Sequence, residues 1–388
     1  MKRVVVKGPA GRLHPWIYGK RIVDPGDAEP GDAVAVYNTR GRFLGSFLYN
    51  PRSVLALRRY SLKEEPLDYL TLKERLYRAL EYREFLFRRT RETAYRWVHS
   101  EADSLPGLVV DRYETGVVFQ INSLGMERRR ADLLKALEDL LAPVFIVEKS
   151  DTAGRREEGL APREEVVQGE VPEPLEITVA GVRYRVNLLG GNKTGFFFDQ
   201  RDNRKVMETW ARGRALDLFA YTGGFTIHLL KGGARRVYAV EGNPAHADLI
   251  QQNVELNGLD PARVVVFRKN VFDFVEEMLL AGEQFDVIVL DPPAFTHSRQ
   301  ARQGALKGYR LLHDRVIRLL RPGGLVATFS CAAHVSDQDL LASFQKAAET
   351  LGRPFRVVHR FRQAPDHPVL LGFPESEYLK GWLFQALS

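Results

Sequence analysis

The sequence predicts an α/β protein whose C-terminal half is a parallel sheet with helices on both faces, preceded by a small all-β barrel and a small α+β domain. Three observations carry that expectation. Apolar runs of strand length alternate with helical periods from Ala215 onward, the pattern of a parallel sheet covered on both sides. The run 215–218 leads into a Gly223-Gly224 turn, and about 20 residues on a second run ends in Glu241, the spacing of a nucleotide-binding βαβ unit. The N-terminal region holds short apolar runs separated by Asp24-Pro25-Gly26 and Glu29-Pro30-Gly31-Asp32, which is turn chemistry between strands.

At 388 residues the chain exceeds one typical domain, and three are expected, over 1–67, 68–187 and 188–388. A hydrophobic fraction of 45% supplies a real core. No apolar run is long enough to span a membrane, and Met1-Lys2-Arg3-Val4 lacks the apolar centre of a secretion signal, so a cytoplasmic protein is expected. One cysteine excludes an internal disulfide and a cysteine zinc cluster, and no metal is expected. Against 49 acidic residues stand 56 Lys and Arg, a net charge of +7. That balance favours a polyanionic partner, although a solvated basic surface would give the same total.

Strands are expected at 4–7, 32–37, 43–48 and 54–58. Among them Arg12, His14, Trp16, Tyr18, Lys20 and Arg21 set aromatics between basic groups, which suits stacking on bases beside phosphate contacts. Trp16 and Tyr18 would equally fill a barrel core. Leu72, Leu76, Leu80 and Phe87 then mark an amphipathic helix over 71–91. Strands follow at 97–98, 108–111, 116–121 and 144–148, with a helix over 128–141 between the last two. From Arg155 to Gly159 and beyond the chain is charged and poor in apolar residues, which predicts an exposed loop before strands at 175–179 and 184–186. Gly190 to Arg204 is a glycine-rich entry into a polar helix. There Lys193 and Gln200 are candidates to hold a ligand carboxylate while Phe196, Phe197 and Phe198 wall off its nucleoside. A hinge with buried Phe is the alternative.

In the C-terminal half strands are expected at 215–218, 237–240, 264–267, 285–290 and 325–329, with helices at 244–256 and 306–320. Ligands of such sheets bind beyond the carboxyl ends of the strands. The first turn, Ala220-Tyr221-Thr222-Gly223-Gly224, is not Gly-x-Gly-x-x-Gly, and no Gly-Lys-Ser/Thr follows. A nucleoside without phosphates therefore fits better than a dinucleotide, and S-adenosylmethionine is the obvious candidate. Asp217, Phe219, Ala220, Tyr221, Gly223 and Asp291 would line its site. Glu241 would accept the ribose hydroxyls, and Asn270 and Val271 would meet the adenine, although an Asn after a strand also serves as an ordinary turn residue.

Two prolines make Asp291-Pro292-Pro293 a rigid turn whose carbonyls can receive a nucleobase edge, with Phe295 at hand for stacking. Cys331 follows the strand at 325–329. A lone cysteine is often a small buried hydrophobe, but this one sits at a strand end beside the others. Carbon 5 of a pyrimidine is too weak a nucleophile to attack a sulfonium methyl. Addition of a thiolate at carbon 6 turns the ring into an enamine that can. Methylation of purine nitrogens needs no such nucleophile.

The segment Gly11-Arg12-Leu13-His14-Pro15-Trp16-Ile17-Tyr18 resembles the start of a PUA domain, an RNA-binding β-barrel. Ala220 to Gly224, Asp291 to Phe295, Ser330-Cys331, the run from Ala364 to Lys380 and Thr194 to Arg201 look like the bacterial 23S rRNA cytosine-5 methyltransferases of the large-subunit methyltransferase I type. The similarity covers nearly the whole chain. It implies a PUA domain, a small α+β domain and a class I, Rossmann-like methyltransferase domain. It also implies Cys331 as nucleophile, Asp291 and the Pro292 carbonyl orienting the cytosine edge, and 23S rRNA or a large-subunit assembly intermediate as partner. A homodimer stays open. Where the resemblance leads one to expect Asp stands Asn270, whose carbonyl can also accept from the adenine amine. The alternatives are a guanine N7 or N2 methyltransferase with a structural cysteine, and a non-catalytic RNA-binding assembly factor.

Overall fold

The computed structural model describes residues 1–8, 14–189, 194–295 and 301–387. Two compact units emerge, one formed by 1–177 with 186–198 and 365–376, the other by 178–185, 199–364 and 377–388.

The first unit holds two sheets. In the six-stranded one, Lys2–Val6 runs parallel to Ala33–Asn38, and Ala33–Asn38, Phe43–Tyr49 and Leu57–Ser61 follow as an antiparallel meander. Val4, Val6, Val34, Val36, Phe47 and Leu57 form its interior. Alternation places these residues on one face of their strands. The second sheet has five strands, ordered from Arg163–Gln168 at one edge to Ala94–His99 at the other. The helix Tyr69–Phe87 buries Leu72, Leu76, Leu80 and Phe87, the stripe read from the sequence, together with Trp97 and Val110.

One expectation is overturned here. The charged stretch after Arg155 is mostly exposed, as expected, but it is not a loop: Ala153–Glu157 is a helical turn and Arg163–Gln168 is an edge strand. Arg155 is buried, pairs with Glu127 at 2.8 Å and donates to the carbonyls of Ile121 and Ala161. Glu158, also buried, accepts from Asn50 and Arg58. Charge predicts exposure only when no partner is folded against it, and here the partners lie about 30 to 110 residues away in sequence.

The second unit is a seven-stranded sheet. Its strands are β1 (Arg214–Leu218), β2 (Arg236–Val240), β3 (Val264–Phe267), β4 (Phe285–Leu290), β5 (Leu320–Ser330), β6 (Phe355–Arg362) and β7 (Lys380–Ala386). The order is β3-β2-β1-β4-β5-β7-β6, and β7 alone runs against its neighbours. Helices α1 (Arg201–Trp210), α2 (Gly224–Lys231), α3 (Pro244–Leu256), α4 (Val271–Leu280), α5 (Arg302–Arg318) and α6 (Asp337–Thr350) complete it. Leu216, Leu218, Ile288 and Leu290 are fully buried, as mostly apolar strands of a covered parallel sheet require. After β3 the chain returns across β1 to lay down β4, so the strand order reverses at β1 and opens a crevice at its carboxyl end. Sequence reading ends at β5 and misses the antiparallel pair β6–β7. Arg356, His359, Arg360 and Arg362 make β6 look like a polar edge, which it is.

Candidate active site

The crevice begins where β1 ends. Asp217 is buried and accepts from the Thr226 hydroxyl of α2 at 2.7 Å, tying strand to helix across the turn. The turn is tight. Phe219, Tyr221 and Gly223 take φ values of 66°, 50° and 86°, and left-handed backbone at two non-glycine residues is a strained arrangement typical of ligand sites. The Ala220 N–H bonds the Val240 carbonyl at 3.0 Å, which sets the turn beside the end of β2. There Glu241 accepts the Tyr221 N–H at 2.9 Å through one oxygen and the Asn243 N–H at 2.8 Å through the other. Both oxygens are fixed by backbone donors and each keeps a lone pair, so together they can take two vicinal hydroxyls.

Asn270 caps α4, its side-chain oxygen accepting the Phe272 N–H at 2.8 Å. That oxygen anchors the helix start and keeps a second lone pair. The amide of Val271, first residue of α4, belongs to the donors a helix start leaves without an intrahelical partner.

Asp291 follows β4 and accepts from Gln200 at 3.0 Å. Gln200 is itself buried and held through its oxygen by Asn203 at 2.6 Å. Burial pushes the Asp291 carboxyl up to about 7, with Asp199 adding to the shift and Arg204 opposing it. Burial likewise raises Asp217 to about 6. Pro292 is buried. Phe295 is half-buried, in ring contact with Tyr309 at 4.9 Å, and farther from Phe219 and Phe272. Cys331 is also half-buried, at the end of β5. Leu290 of β4 pairs with Thr328 of β5, so the carboxyl and the thiol leave neighbouring strands on the same side.

Asp217, Gln200, Phe219 to Gly223, Glu241, Asn270, Val271, Asp291 and Cys331 thus all lie at one end of one sheet. Lys193 and Arg12 lie outside the described residues. Phe196 and Phe198 are buried in the first unit, in ring contact with each other and, for Phe198, with Tyr113 at 5.3 Å. In that unit Trp16 donates its indole N–H to Glu101 at 2.8 Å and meets Phe373 edge-on at 4.6 Å, while His14 contacts Glu375 and Phe373. Their rings are engaged within the protein. Lys20 is exposed. Sequence reasoning missed the buried polar face of α1, where Arg201, Asn203 and Arg204 join Gln200. A polar helix start shows in the sequence, but not that its polar side turns inward.

The donor set suits S-adenosylmethionine. Glu241 offers two anchored acceptors, and Asp217 has a buried oxygen, Oδ1, without a hydrogen-bond partner among the described residues, a place for a donor such as an ammonium group. Sheet order, reversed β7 and these strand-end carboxylates together define a class I methyltransferase. The chain belongs to the S-adenosylmethionine-dependent methyltransferase family, which matches residues 156–384, and residues 10–62 match the PUA-like domain family. It is 38% identical over 382 residues to Ribosomal RNA large subunit methyltransferase I of Tolumonas auensis, covering 97% of this chain and 96% of that one. The protein of the same name from Aeromonas salmonicida is 40% identical over 383 residues, with the same coverage. A structure described as a candidate SAM-dependent methyltransferase from Streptococcus mutans superposes with a TM-score of 0.84 at 22% identity, covering 99% of this chain and 100% of that one.

Among the described residues no helix is long and apolar enough to cross a membrane, and no group of three or more His, Cys, Asp or Glu could hold a metal.

Proposed function

We propose that the chain methylates carbon 5 of a cytosine in 23S ribosomal RNA, in the free RNA or in a large-subunit assembly intermediate, in the cytoplasm. The observation that carries this reading is the pairing of Cys331 with the Asp291-Pro292 turn at the ends of two adjacent strands. Relatives that match this chain over nearly its full length carry the name ribosomal RNA large subunit methyltransferase I, which supports the RNA class. Glu241 holds the ribose, Val271 offers its amide to the adenine, and Asp217 and Gln200 serve the amino-acid end. Bound there, S-adenosylmethionine supplies an electrophilic methyl group.

The residues of the chain do the rest. The Cys331 sulfur, as thiolate, bonds to carbon 6 of the flipped base, and the electron pair of the carbon 5–carbon 6 double bond becomes available at carbon 5. Negative charge then builds on the ring toward N3. A carboxyl pushed up to about 7 still carries its proton on a good fraction of molecules near neutrality, so Asp291 donates to N3 as that charge develops. The Pro292 carbonyl accepts from the 4-amino group. Once carbon 5 carries the methyl, its proton passes to a base, the double bond re-forms, the sulfur leaves with its electron pair, and N3 returns its proton to Asp291. The PUA-like domain, with Lys20 at its surface, contributes phosphate contacts.

The test is the identity of the product nucleoside. The chain is incubated with unmodified large-subunit RNA and methyl-labelled cofactor, and the RNA is digested to nucleosides. Label in 5-methylcytidine is expected. Label in 7-methylguanosine or N2-methylguanosine would overturn the reading and leave Cys331 structural.

A further inference from the structure

Lys380 opens β7, directly opposite Ser330 in the β5–β7 pairing and therefore beside Cys331. Its side chain is buried, and its ammonium nitrogen donates at 2.8 Å to the carbonyl of Ala332, the residue after the cysteine. A buried ammonium held by one neutral carbonyl is under-compensated, since a desolvated charge is costly until an opposite charge faces it. The acidic groups nearest in charge coupling are Cys331, Asp337, Glu377 and Asp339, in that order, and together they resist the strong pull of burial that lowers the lysine. Each carboxylate among them already has a cation of its own. Asp337 pairs with Arg360 at 2.9 Å, Asp339 with Arg302 at 2.7 Å and Glu377 with Arg362 at 3.1 Å. Tyr309 of α5, whose hydroxyl burial keeps protonated, also couples to the cysteine. Of the four acids around Lys380, the thiol couples to it most strongly.

We propose that Lys380 is the positioning residue that holds Cys331 as a thiolate, its ammonium serving as the fixed counter-charge of the nucleophile. This rests on the reading of Cys331 as nucleophile. The lysine keeps its proton throughout. Facing a thiolate it is compensated, and facing the neutral thioether of the covalent adduct it is not. The ammonium therefore favours the ionised thiol before attack and favours its return as a leaving group afterwards.

The native chain contains one cysteine, so the pH dependence of iodoacetamide alkylation reads this thiol alone. Lys380→Met is expected to move the midpoint of that profile up by about one pH unit or more, while Lys380→Arg keeps it near the native value. Both variants should bind S-adenosylhomocysteine as the native chain does, which checks that they fold. Equal midpoints for the native and Met forms would overturn the proposal. Should the Met form fail to bind, the native chain still decides: a midpoint at or above that of an ordinary cysteine, about 8.5, overturns it. Alkylation reports ionisation whether or not the thiol attacks RNA. Failure of the nucleophile reading would instead show as turnover by a chain lacking Cys331.

Discussion

Cys331→Ala is expected to reduce methyl transfer to RNA by on the order of 10⁴-fold or more while leaving cofactor affinity unchanged. The size follows from the chemistry. Without sulfur on carbon 6 the neighbouring carbon has no enamine character, and no other thiol exists in the chain to replace it. Cofactor affinity should persist because the groups assigned to it, Asp217 at the end of β1, Glu241 after β2 and Val271 at the start of α4, belong to other strand ends. Calorimetry with S-adenosylhomocysteine and a methyl-transfer assay on the same preparation separate the two effects. Joint loss of both would indicate misfolding.

Asp291→Asn is expected to cost about 10²- to 10³-fold in kcat and at the same time to stabilise the protein at pH 8. The two effects have one origin. Burial, reinforced by Asp199, makes the ionised form of Asp291 unfavourable in the folded chain. Its folded value, about 7, lies above the ordinary carboxylate value of 3.8. The stability associated with this group is therefore fully present below the ordinary value and is lost as pH rises through about 7. The amide carries no charge, retains an oxygen for Gln200, and escapes that loss. Melting curves should coincide near pH 4, separate between there and pH 7, and differ by a few degrees above it, with the variant higher. A variant that melts lower than the native chain at pH 8 would mean that Asp291 is stabilised as a carboxylate. The proton donation assigned to it would then fail.

The parts legible in the sequence share a physical reason. β1 and β4 are buried on both faces, so their apolar stretches stand out in the sequence, with Asp217 near the end of one and Asp291 just after the other. The glycine turn and Glu241 were legible because a βαβ unit fixes the spacing between them. What escaped were contacts between residues far apart in the chain. Trp16 reads as either a base-stacking or a core aromatic, and nothing local reveals its contacts to Glu101 and Phe373. Asn270 reads as an adenine contact or a turn residue, and its role as cap of α4 is signalled by an Asn before an apolar run. Lys380 reads as one more surface lysine, because nothing local reveals that β7 inserts between β5 and β6 and brings it next to the cysteine. Arg155 and Glu158 fail in the same way. Their charge is plain in the sequence, and the partners that permit their burial are not.

The most direct test of the central claim uses RNA in which cytidine is replaced by 5-fluorocytidine. Fluorine cannot leave carbon 5 as a proton does, so with S-adenosylmethionine present the sulfur–carbon bond should persist. A protein–RNA adduct stable to denaturation is expected, and peptide mapping should find the nucleotide on Cys331. Efficient methylation of ordinary RNA with no adduct on the fluorinated RNA, or an adduct on any other residue, would contradict the account.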